Sequence, residues 1–268
     1  MKEAYGLKSK KKHLRARDAV SALSLALLVA ATVWTARRPE VVAAVAPARQ
    51  LPVYCVERQD KKIAVSFDAA WGNEDTQTLI DILTAHDVRA TFFLVGGWVE
   101  KYPASVQALA DAGMEVMNHS ETHPHLAQLT PEQVQSEVSA CADRIEAITG
   151  ARPTLFRCPY GEYDDAVITA IRALGVEPIQ WDVDSLDWKG ISADEITQRV
   201  LRGVKPGSIV LFHNAAEHTP EALAGIIESL QAEGYELVPI SQLLPEGETT
   251  IDPNGTLRPA APVPAETD

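Results

Sequence analysis

Short runs of β-branched and aromatic residues alternate with longer segments of helical periodicity across the central part of the chain. Seven of these runs predict buried β-strands, and the longer segments between them predict helices. The strand bounds are Ile63–Phe67, Ala90–Val95, Glu115–Asn118, Thr154–Arg157, Pro178–Trp181, Ser208–Phe212 and Glu236–Pro239.

Helix-start signals support this alternation. Thr130 and Ser192 each stand three residues before a Gln or Glu, which is the capping-box spacing, and Thr219 precedes a Pro-Glu pair. About seven β-α units predict a parallel sheet covered by helices, either a distorted (β/α) barrel or an open doubly wound sheet. In both folds, functional residues collect at the carboxyl ends of the strands.

Polar side chains follow five of the predicted strands at those carboxyl ends. Because the ends of parallel strands share one rim, we expect the side chains to converge. They are Asp68, the pair His119 and His123, Arg157, the group Asp182, Asp184 and Asp187, and finally His213. Two imidazoles four residues apart are typical of ligands for zinc-like metals.

An uncharged run of 18 residues, 19–36, follows a basic segment, 1–18, and predicts a transmembrane helix. A spanning helix needs about 20 apolar residues, whereas a signal-peptide core has about 7–15, so the length favours a signal anchor. The basic flank predicts that segment 1–18 stays in the cytoplasm and that the remainder is exported. Because Ala44-Val45-Ala46 resembles a cleavage sequence, a secreted form is the alternative.

Composition divides the rest of the chain into three parts. Residues 37–60, rich in Pro, Ala and Val, predict a linker, and residues 61–244 carry the strand-helix alternation. Residues 245–268 contain five Pro and few large apolar side chains, which predicts a disordered tail.

Charge is spread unevenly along the chain. Residues 1–50 carry ten Lys and Arg against three Asp and Glu, whereas the remainder carries 14 against 34. A body this acidic is a poor partner for nucleic acid. The three cysteines form no C-x-x-C motif, and their odd number predicts free thiols.

Five short motifs make the chain resemble the polysaccharide deacetylases, the NodB-homology group or carbohydrate esterase family 4. In chain order they are Ser66-Phe67-Asp68, His119-Ser120-Glu121-Thr122-His123-Pro124, Arg157-Cys158-Pro159-Tyr160-Gly161, Asp184-Ser185-Leu186-Asp187-Trp188 and Leu211-Phe212-His213. The resemblance covers nearly all of 61–244 and looks closest to the sporulation-type branch. It implies a distorted (β/α) barrel of about seven parallel strands that uses a divalent metal to hydrolyse the acetamide of an N-acetylated sugar.

The resemblance also implies catalytic roles. Asp68 is implied as the general base, with Arg157 orienting it, and His213 as the acid that protonates the leaving amine while paired with Asp187. The implied metal ligands are His119 and His123, with zinc, cobalt or manganese as the ion. The implied substrate-binding residues are Tyr160, through its backbone N–H, and Trp188, Leu211 and Trp71, which line the acetyl or sugar pocket.

One position departs from the family pattern. Most members follow the base Asp with a second Asp that ligates the metal, and here that residue is Ala69. A methyl group ligates nothing, so metal binding is weakened unless water, Asp68 or a nearby carboxylate such as Glu74, Asp75 or Asp184 fills the gap. The site is then active with altered ligands, active only with abundant metal, or catalytically silent.

We expect an N-deacetylase that acts outside the membrane on cell-wall polysaccharide, either N-acetylglucosamine or N-acetylmuramic acid of peptidoglycan, or chitin-type oligomers. A catalytically silent glycan-binding module is the alternative. Paired carboxylates on a barrel rim also suit a glycosidase, which needs neither His119 nor His123. The sequence predicts neither an oligomeric state nor a nucleic-acid partner.

Overall fold

A computed structural model describes residues 23–34 and 49–260. The chain divides into two compact units, Met1–Arg49 and Gln50–Asp268. In the first unit, residues 23–34 form a helix. These residues rise about 18 Å at 1.5 Å per residue, and the hydrocarbon core of a bilayer is about 30 Å thick.

The predicted transmembrane helix over 19–36 is wrong. Nowhere in the described residues does a helix combine the length and the apolar character that a membrane crossing needs. Much of the run is Ala, Ser and Thr, which are weakly apolar or polar. The two ends of the predicted span, and the basic segment 1–18, lie outside the described residues.

The second unit contains the sheet and its covering helices. Its strands are β1 (Cys55–Val56), β2 (Lys62–Ala69), β3 (Thr91–Leu94), β4 (Glu115–Asn118), β5 (Leu155–Phe156), β6 (Glu177–Pro178), β7 (Val183–Asp184), β8 (Ile209–His213), β9 (Glu236–Leu237), β10 (Thr249–Ile251) and β11 (Thr256–Pro259). Its α-helices are α1 (Thr76–Ala85), α2 (Gly96–Lys101), α3 (Pro103–Asp111), α4 (Pro131–Thr149), α5 (Asp165–Arg172), α6 (Ala193–Gly203), α7 (Thr219–Ala232) and α8 (Ile240–Leu243).

Seven parallel strands form a half-barrel in the order β6-β5-β4-β3-β2-β8-β7. This is the cyclic order of a (β/α) barrel cut between β6 and β7, and β9 pairs with the start of β2. The predicted distorted barrel is therefore confirmed. The predicted strand Glu236–Pro239 is β9, off the main path, and β7 was not predicted.

The N-terminal strand of this unit lies where the barrel is cut. The Val53 N–H donates to Pro178 O at 2.9 Å, and the Gln180 N–H donates to Val53 O at 2.7 Å. On the other side, the Val56 N–H donates to Gly207 O at 2.9 Å. These bonds place residues 53–56 between β6 and the segment that precedes β8.

Two predicted boundaries are corrected by this arrangement. The predicted linker 37–60 contains β1, and the predicted disordered tail 245–268 contains β10 and β11. These strands form a second sheet in the order β1-β11-β10. Backbone pairing orders both segments despite their proline content. Residues 37–48 and 261–268 lie outside the described residues.

The alternation of side chains in β2 separates the core into two layers. Ile63, Val65 and Phe67 face the covering helices in the larger apolar cluster, whereas Ala64 belongs to the cluster inside the barrel. The Phe67 ring stacks between two further phenylalanine rings from neighbouring strands, with centroids 4.7 and 5.5 Å away. Successive side chains of a strand point to opposite faces, so Asp68 faces inward at the carboxyl end of β2.

Two of the predicted helix starts are confirmed, and so is the prediction that the cysteines are free thiols. Thr130 and Ser192 form capping boxes at α4 and α6. Thr219 is the first residue of α7 and not its N-cap, which is His218. All three cysteines are free and buried.

Candidate active site

Asp68 and Arg157 form a buried ion pair inside the mouth of the barrel. Arg157 is fully buried, and its Nη1 donates to Asp68 Oδ1 at 2.8 Å. Its Nη2 donates to Ser66 Oγ at 2.9 Å and to Gln180 O at 3.1 Å, and the guanidinium lies over the Phe93 ring. The carboxylate is therefore held in one orientation.

The electrostatics of this pair keep Asp68 ionised. Burial raises the pKa of the Asp68 carboxyl, but the positive charge of Arg157, together with His119 and His213, outweighs burial and lowers the pKa below its usual value. A charged acceptor is thus present at neutral pH.

His119 and His123 follow β4 and lie beside this carboxylate. His119 Nδ1 is 2.7 Å from Arg157 O, and because a carbonyl only accepts, Nδ1 carries the hydrogen. The other nitrogen, Nε2, then has a free lone pair and lies 3.6 Å from Asp68 Oδ2. The His123 ring packs edge-on to His119 with centroids 4.9 Å apart.

Both imidazoles are neutral at pH 7. Burial lowers the pKa of His119. Burial, with a contribution from His119, lowers the pKa of His123 to about 4. Asn118 Oδ1 accepts from the Ser120 N–H and Ser120 Oγ accepts from the His123 N–H, which fixes the loop that carries both rings. Both neutral imidazoles can offer a lone pair to a metal, and the Arg157 carbonyl fixes the ring orientation of His119.

Within the described residues, the carboxylate ligand that would accompany the two imidazoles at a metal site is missing. Ala69 is buried in the apolar cluster. One oxygen of each of two carboxylates that could compensate is engaged, because Asp75 Oδ2 accepts from the Ala215 N–H and Asp184 Oδ1 from the Leu186 N–H. Asp75 Oδ1 is buried and has no hydrogen-bond partner within residues 49–260. Over residues 23–34 and 49–260, no three His, Cys, Asp or Glu side chains form a group that could hold a metal ion. Two imidazoles therefore fit a divalent cation, but the protein ligand set is incomplete.

His213 and Asp187 form a second charged pair across the mouth. His213 pairs with Asp68 in register on the adjacent strand β8. Its Nδ1 lies 2.8 Å from Asp187 Oδ1, and its backbone N–H donates to Oδ2 at 2.8 Å. The Trp188 N–H and the Thr219 hydroxyl donate to the same carboxylate at 2.8 and 2.7 Å. Asp187 is thus saturated with four hydrogen bonds.

The pKa of His213 is raised by these neighbours. Burial lowers the pKa of the imidazole, but the hydrogen bond that His213 Nδ1 donates to Asp187 and the negative charge of Asp68 outweigh burial and raise the pKa above its usual value. His213 can therefore hold a proton near neutral pH, as a general acid must.

The predicted oxyanion donor lies on a strained turn. Tyr160 has φ of 59°, a left-handed conformation that is unusual for a residue with a side chain. Its backbone N–H has no hydrogen-bond partner within residues 49–260. The Tyr160 ring stacks on His125 at 4.4 Å and meets His123 edge-on at 4.5 Å. The turn that carries this backbone donor is thus held beside the imidazoles through the Tyr160 ring.

The remaining predicted binding residues lie at different depths. Leu211 is buried, whereas Trp71 and Trp188 are exposed at the rim. Sequence reasoning missed three contributors: Thr219, which bonds Asp187; Asn214, which accepts from the Ala70 N–H; and His125, which supports Tyr160. Their contacts join distant parts of the chain, so local pattern gave no signal for them.

Comparison with known proteins agrees with this site. Residues 56–179 match the model of the family Polysaccharide deacetylase. A peptidoglycan-N-acetylglucosamine deacetylase from Bacillus cereus is 33% identical over 186 residues, which cover 68% of this chain and 68% of the relative. The chain belongs to the polysaccharide deacetylase family. The resemblance found in the motifs is thereby confirmed.

Other similar proteins differ in what is known of them. The uncharacterized protein YlxY from Bacillus subtilis is 31% identical over 73% of this chain, and the match spans 61% of that relative. A chitooligosaccharide deacetylase from Bradyrhizobium is 31% identical over 72% of this chain and 98% of the relative. A solved structure of a family 4 pseudoenzyme from Bacillus anthracis has a TM-score of 0.71 and 36% identity, and covers 74% of this chain and 70% of that one. Members of the family are generally metal-dependent, and the named relatives include deacetylases of cell-wall glycans.

Proposed function

We propose that this protein removes N-acetyl groups from cell-wall polysaccharide outside the cytoplasmic membrane. The substrates we infer are N-acetylglucosamine or N-acetylmuramic acid of peptidoglycan, or chitin-type oligomers. The observation that carries the proposal is the facing of two preorganised pairs, Asp68 with Arg157 and His213 with Asp187, beside the open Tyr160 N–H. Relatives named as peptidoglycan and chitooligosaccharide deacetylases support the substrate class.

Amide hydrolysis assigns a separate task to each group. Asp68, ionised and oriented by Arg157, accepts the proton of the attacking water. The Tyr160 N–H donates to the oxygen on which negative charge develops. His213, protonated with the help of Asp187, gives its proton to the nitrogen as the amine leaves.

The lowered pKa of Asp68 has a consequence for this scheme. A carboxylate of low pKa is a weak base for bulk water, whose pKa is about 15.7. A divalent cation, zinc first and cobalt or manganese as alternatives, would lower the pKa of water and polarise the acetamide carbonyl. His119 and His123 are the residues that would hold it, with water in place of the carboxylate that Ala69 lacks.

Acetate release tests this proposal. Full-length protein supplied with zinc should release acetate from purified peptidoglycan or from N-acetylglucosamine oligomers. Asp68→Asn should reduce the rate by about 10²-fold or more, since it removes the base. Asp143→Asn, on an exposed carboxylate that pairs with Arg152, is the matched control and should leave the rate unchanged. Equal rates for Asp68→Asn and wild type would refute the assigned role.

A catalytically silent glycan-binding module is the second candidate. Ala69 in place of a metal ligand favours it, as does the similarity to the Bacillus anthracis pseudoenzyme. A folded protein that retains glycan but releases no acetate with zinc, cobalt or manganese would establish this candidate. Cleavage of glycosidic bonds in the glycan that persists in the presence of a chelator would instead indicate a glycosidase.

A further inference from the structure

Two loops meet at the rim of the half-barrel, directly after the strands that carry Asp68 and His213. We call residues 70–75, which follow β2, the β2 loop, and residues 214–218, which follow β8, the β8 loop. Asp68 and His213 pair in register at the ends of these strands. A movement of one loop relative to the other would therefore change the separation of the two side chains.

The backbone pairing of β2 with β8 ends just past these residues. The Asn214 N–H donates to Asp68 O at 3.1 Å. The next residue, Ala215, has φ of 54°, a left-handed conformation that cannot continue a strand. The first N–H and C=O groups of the β2 loop therefore need partners other than the backbone of β8.

The side chain of Asn214 supplies these partners. Its Oδ1 accepts from the Ala70 N–H at 3.3 Å, and its Nδ2 donates to Gly72 O. An Asn side chain carries a carbonyl and an amide N–H, as a peptide unit does, so it continues the pairing beyond the end of the strands. Asn214 is 3% exposed, and a buried partner left without its bond costs stability.

Two further bonds hold the β2 loop in place. Asp75 Oδ2 accepts from the Ala215 N–H at 2.8 Å, which joins the last residue of the β2 loop to the β8 loop. Trp98 of α2 donates from Nε1 to Gly72 O at 2.9 Å. The β2 loop is thus tied to the β8 loop at both of its ends, with Asn214 at the end that lies next to Asp68.

We propose that Asn214 is a positioning residue, which fixes the separation between Asp68 and His213 by pairing the β2 loop with the β8 loop. This inference rests on the proposed function for the roles of these two groups, one of which accepts a proton and the other donates one. Asp187 orients the His213 ring through two hydrogen bonds. Asn214, the next residue in the chain, holds the β8 backbone against β2.

The charge of Asp68 provides a measure of this separation. Burial lowers the pKa of His213, whereas the hydrogen bond to Asp187 and the charges of Asp68, Asp187 and Asp184 raise it. Coulomb energy falls as two groups move apart and as water enters between them. Asp68→Asn should therefore lower the pKa of His213, and the size of the decrease reports how close the two side chains are.

The test measures the pKa of His213 by NMR in full-length protein, with and without Asp68→Asn, in the wild type, Asn214→Leu and Asn73→Ala. Asn214→Leu adds no charge and nearly keeps the volume, but removes both side-chain bonds to the β2 loop. Asn73→Ala is the matched control, because Asn73 Nδ2 donates to Ser105 Oγ of α3 at 2.9 Å and its loss leaves the bonds to the β8 loop in place.

The decrease in the pKa of His213 caused by Asp68→Asn should be about two-fold smaller in Asn214→Leu than in the wild type. It should be unchanged in Asn73→Ala. An equal decrease in all three proteins would overturn the inference.

Hydrogen exchange in the wild type tests the same bond if Asn214→Leu does not fold. The Ala70 N–H should exchange about 10²-fold or more slowly than the amide of an unstructured peptide, because opening the bond requires separation of the two loops. Exchange of the Ala70 N–H at the unstructured rate would overturn the inference.

Kinetics separate the positioning role from the proposed function. If the wild type releases acetate, Asn214→Leu should lower kcat by about 10²-fold and leave KM within about two-fold, since misplaced reacting groups slow the chemical step. No acetate from the wild type, with the smaller pKa decrease in Asn214→Leu, would refute the proposed function alone. Acetate release with an equal pKa decrease in all three proteins would refute the role of Asn214 alone.

Discussion

Replacing Asp187 by Asn tests the proposed acid most informatively, because it removes the charge but keeps the shape of the side chain. Asp187 is 2% exposed and holds the His213 imidazole through Oδ1 at 2.8 Å. A hydrogen bond to a charged group contributes about 1.5–3 kcal/mol, and 1.36 kcal/mol corresponds to one pKa unit. Asp187→Asn should therefore lower the pKa of His213, because the protonated imidazole loses a stabilisation of this size.

The assay is an NMR titration of the His213 ring in the wild type and in Asp187→Asn. Its readout does not depend on turnover. If acetate release is measurable, the alkaline limb of its pH profile should move to lower pH in the variant, since His213 acts when protonated. An unchanged pKa of His213 in Asp187→Asn would refute the role of this pair.

The same pair affects stability in a definite direction. The folded-state pKa of His213 is raised, so its contribution to stability is fully present below the unfolded value of about 6.5. That contribution is lost as pH rises through the folded-state pKa. Asn also leaves two of the four buried donors around residue 187 without an acceptor, at about 1–3 kcal/mol each, so urea unfolding should show a loss of about 2–6 kcal/mol.

Three further substitutions test the account by urea or thermal unfolding. Arg157→Leu should destabilise the fold by about 3–5 kcal/mol, since it leaves Asp68 buried without its cation, and a loss below about 1 kcal/mol would contradict the buried pair. Thr219→Val should remove about 1–3 kcal/mol and Thr219→Ser should restore it, because the hydroxyl alone bonds Asp187; equal losses would assign the effect to packing. Gly150→Ala should destabilise by about 1–2 kcal/mol, since the C-cap of α4 has φ of 73°, and a neutral effect would contradict the left-handed cap.

The strands that position the site were predictable because each contains consecutive apolar residues. β2, β3, β4 and β8 lie within two residues of their predicted bounds. β7 was missed because Val183 is the one apolar residue between Asp182 and Asp184. β10 and β11 were missed because their order comes from pairing with β1, where Cys55 and Thr256 are 201 residues apart in sequence.

The site itself was predictable to the extent that strand ends place it. Asp68, Arg157 and His213 follow strands, and the structure brings them together. The fourth hydrogen bond to Asp187 comes from Thr219 at the start of α7, and its position depends on how that helix packs on the sheet. No sequence period encodes such packing.

The proposed metal-dependent deacetylation is tested by measuring acetate release from a chitin-type tetramer, with metal-stripped full-length protein to which zinc is added in steps. Because two imidazoles are present and Ala69 supplies no carboxylate, release should rise with zinc, saturate only at high zinc concentration and disappear in His119→Ala. No acetate at any zinc, cobalt or manganese concentration, from folded protein that still binds the tetramer, would contradict the proposed deacetylase and establish the glycan-binding module.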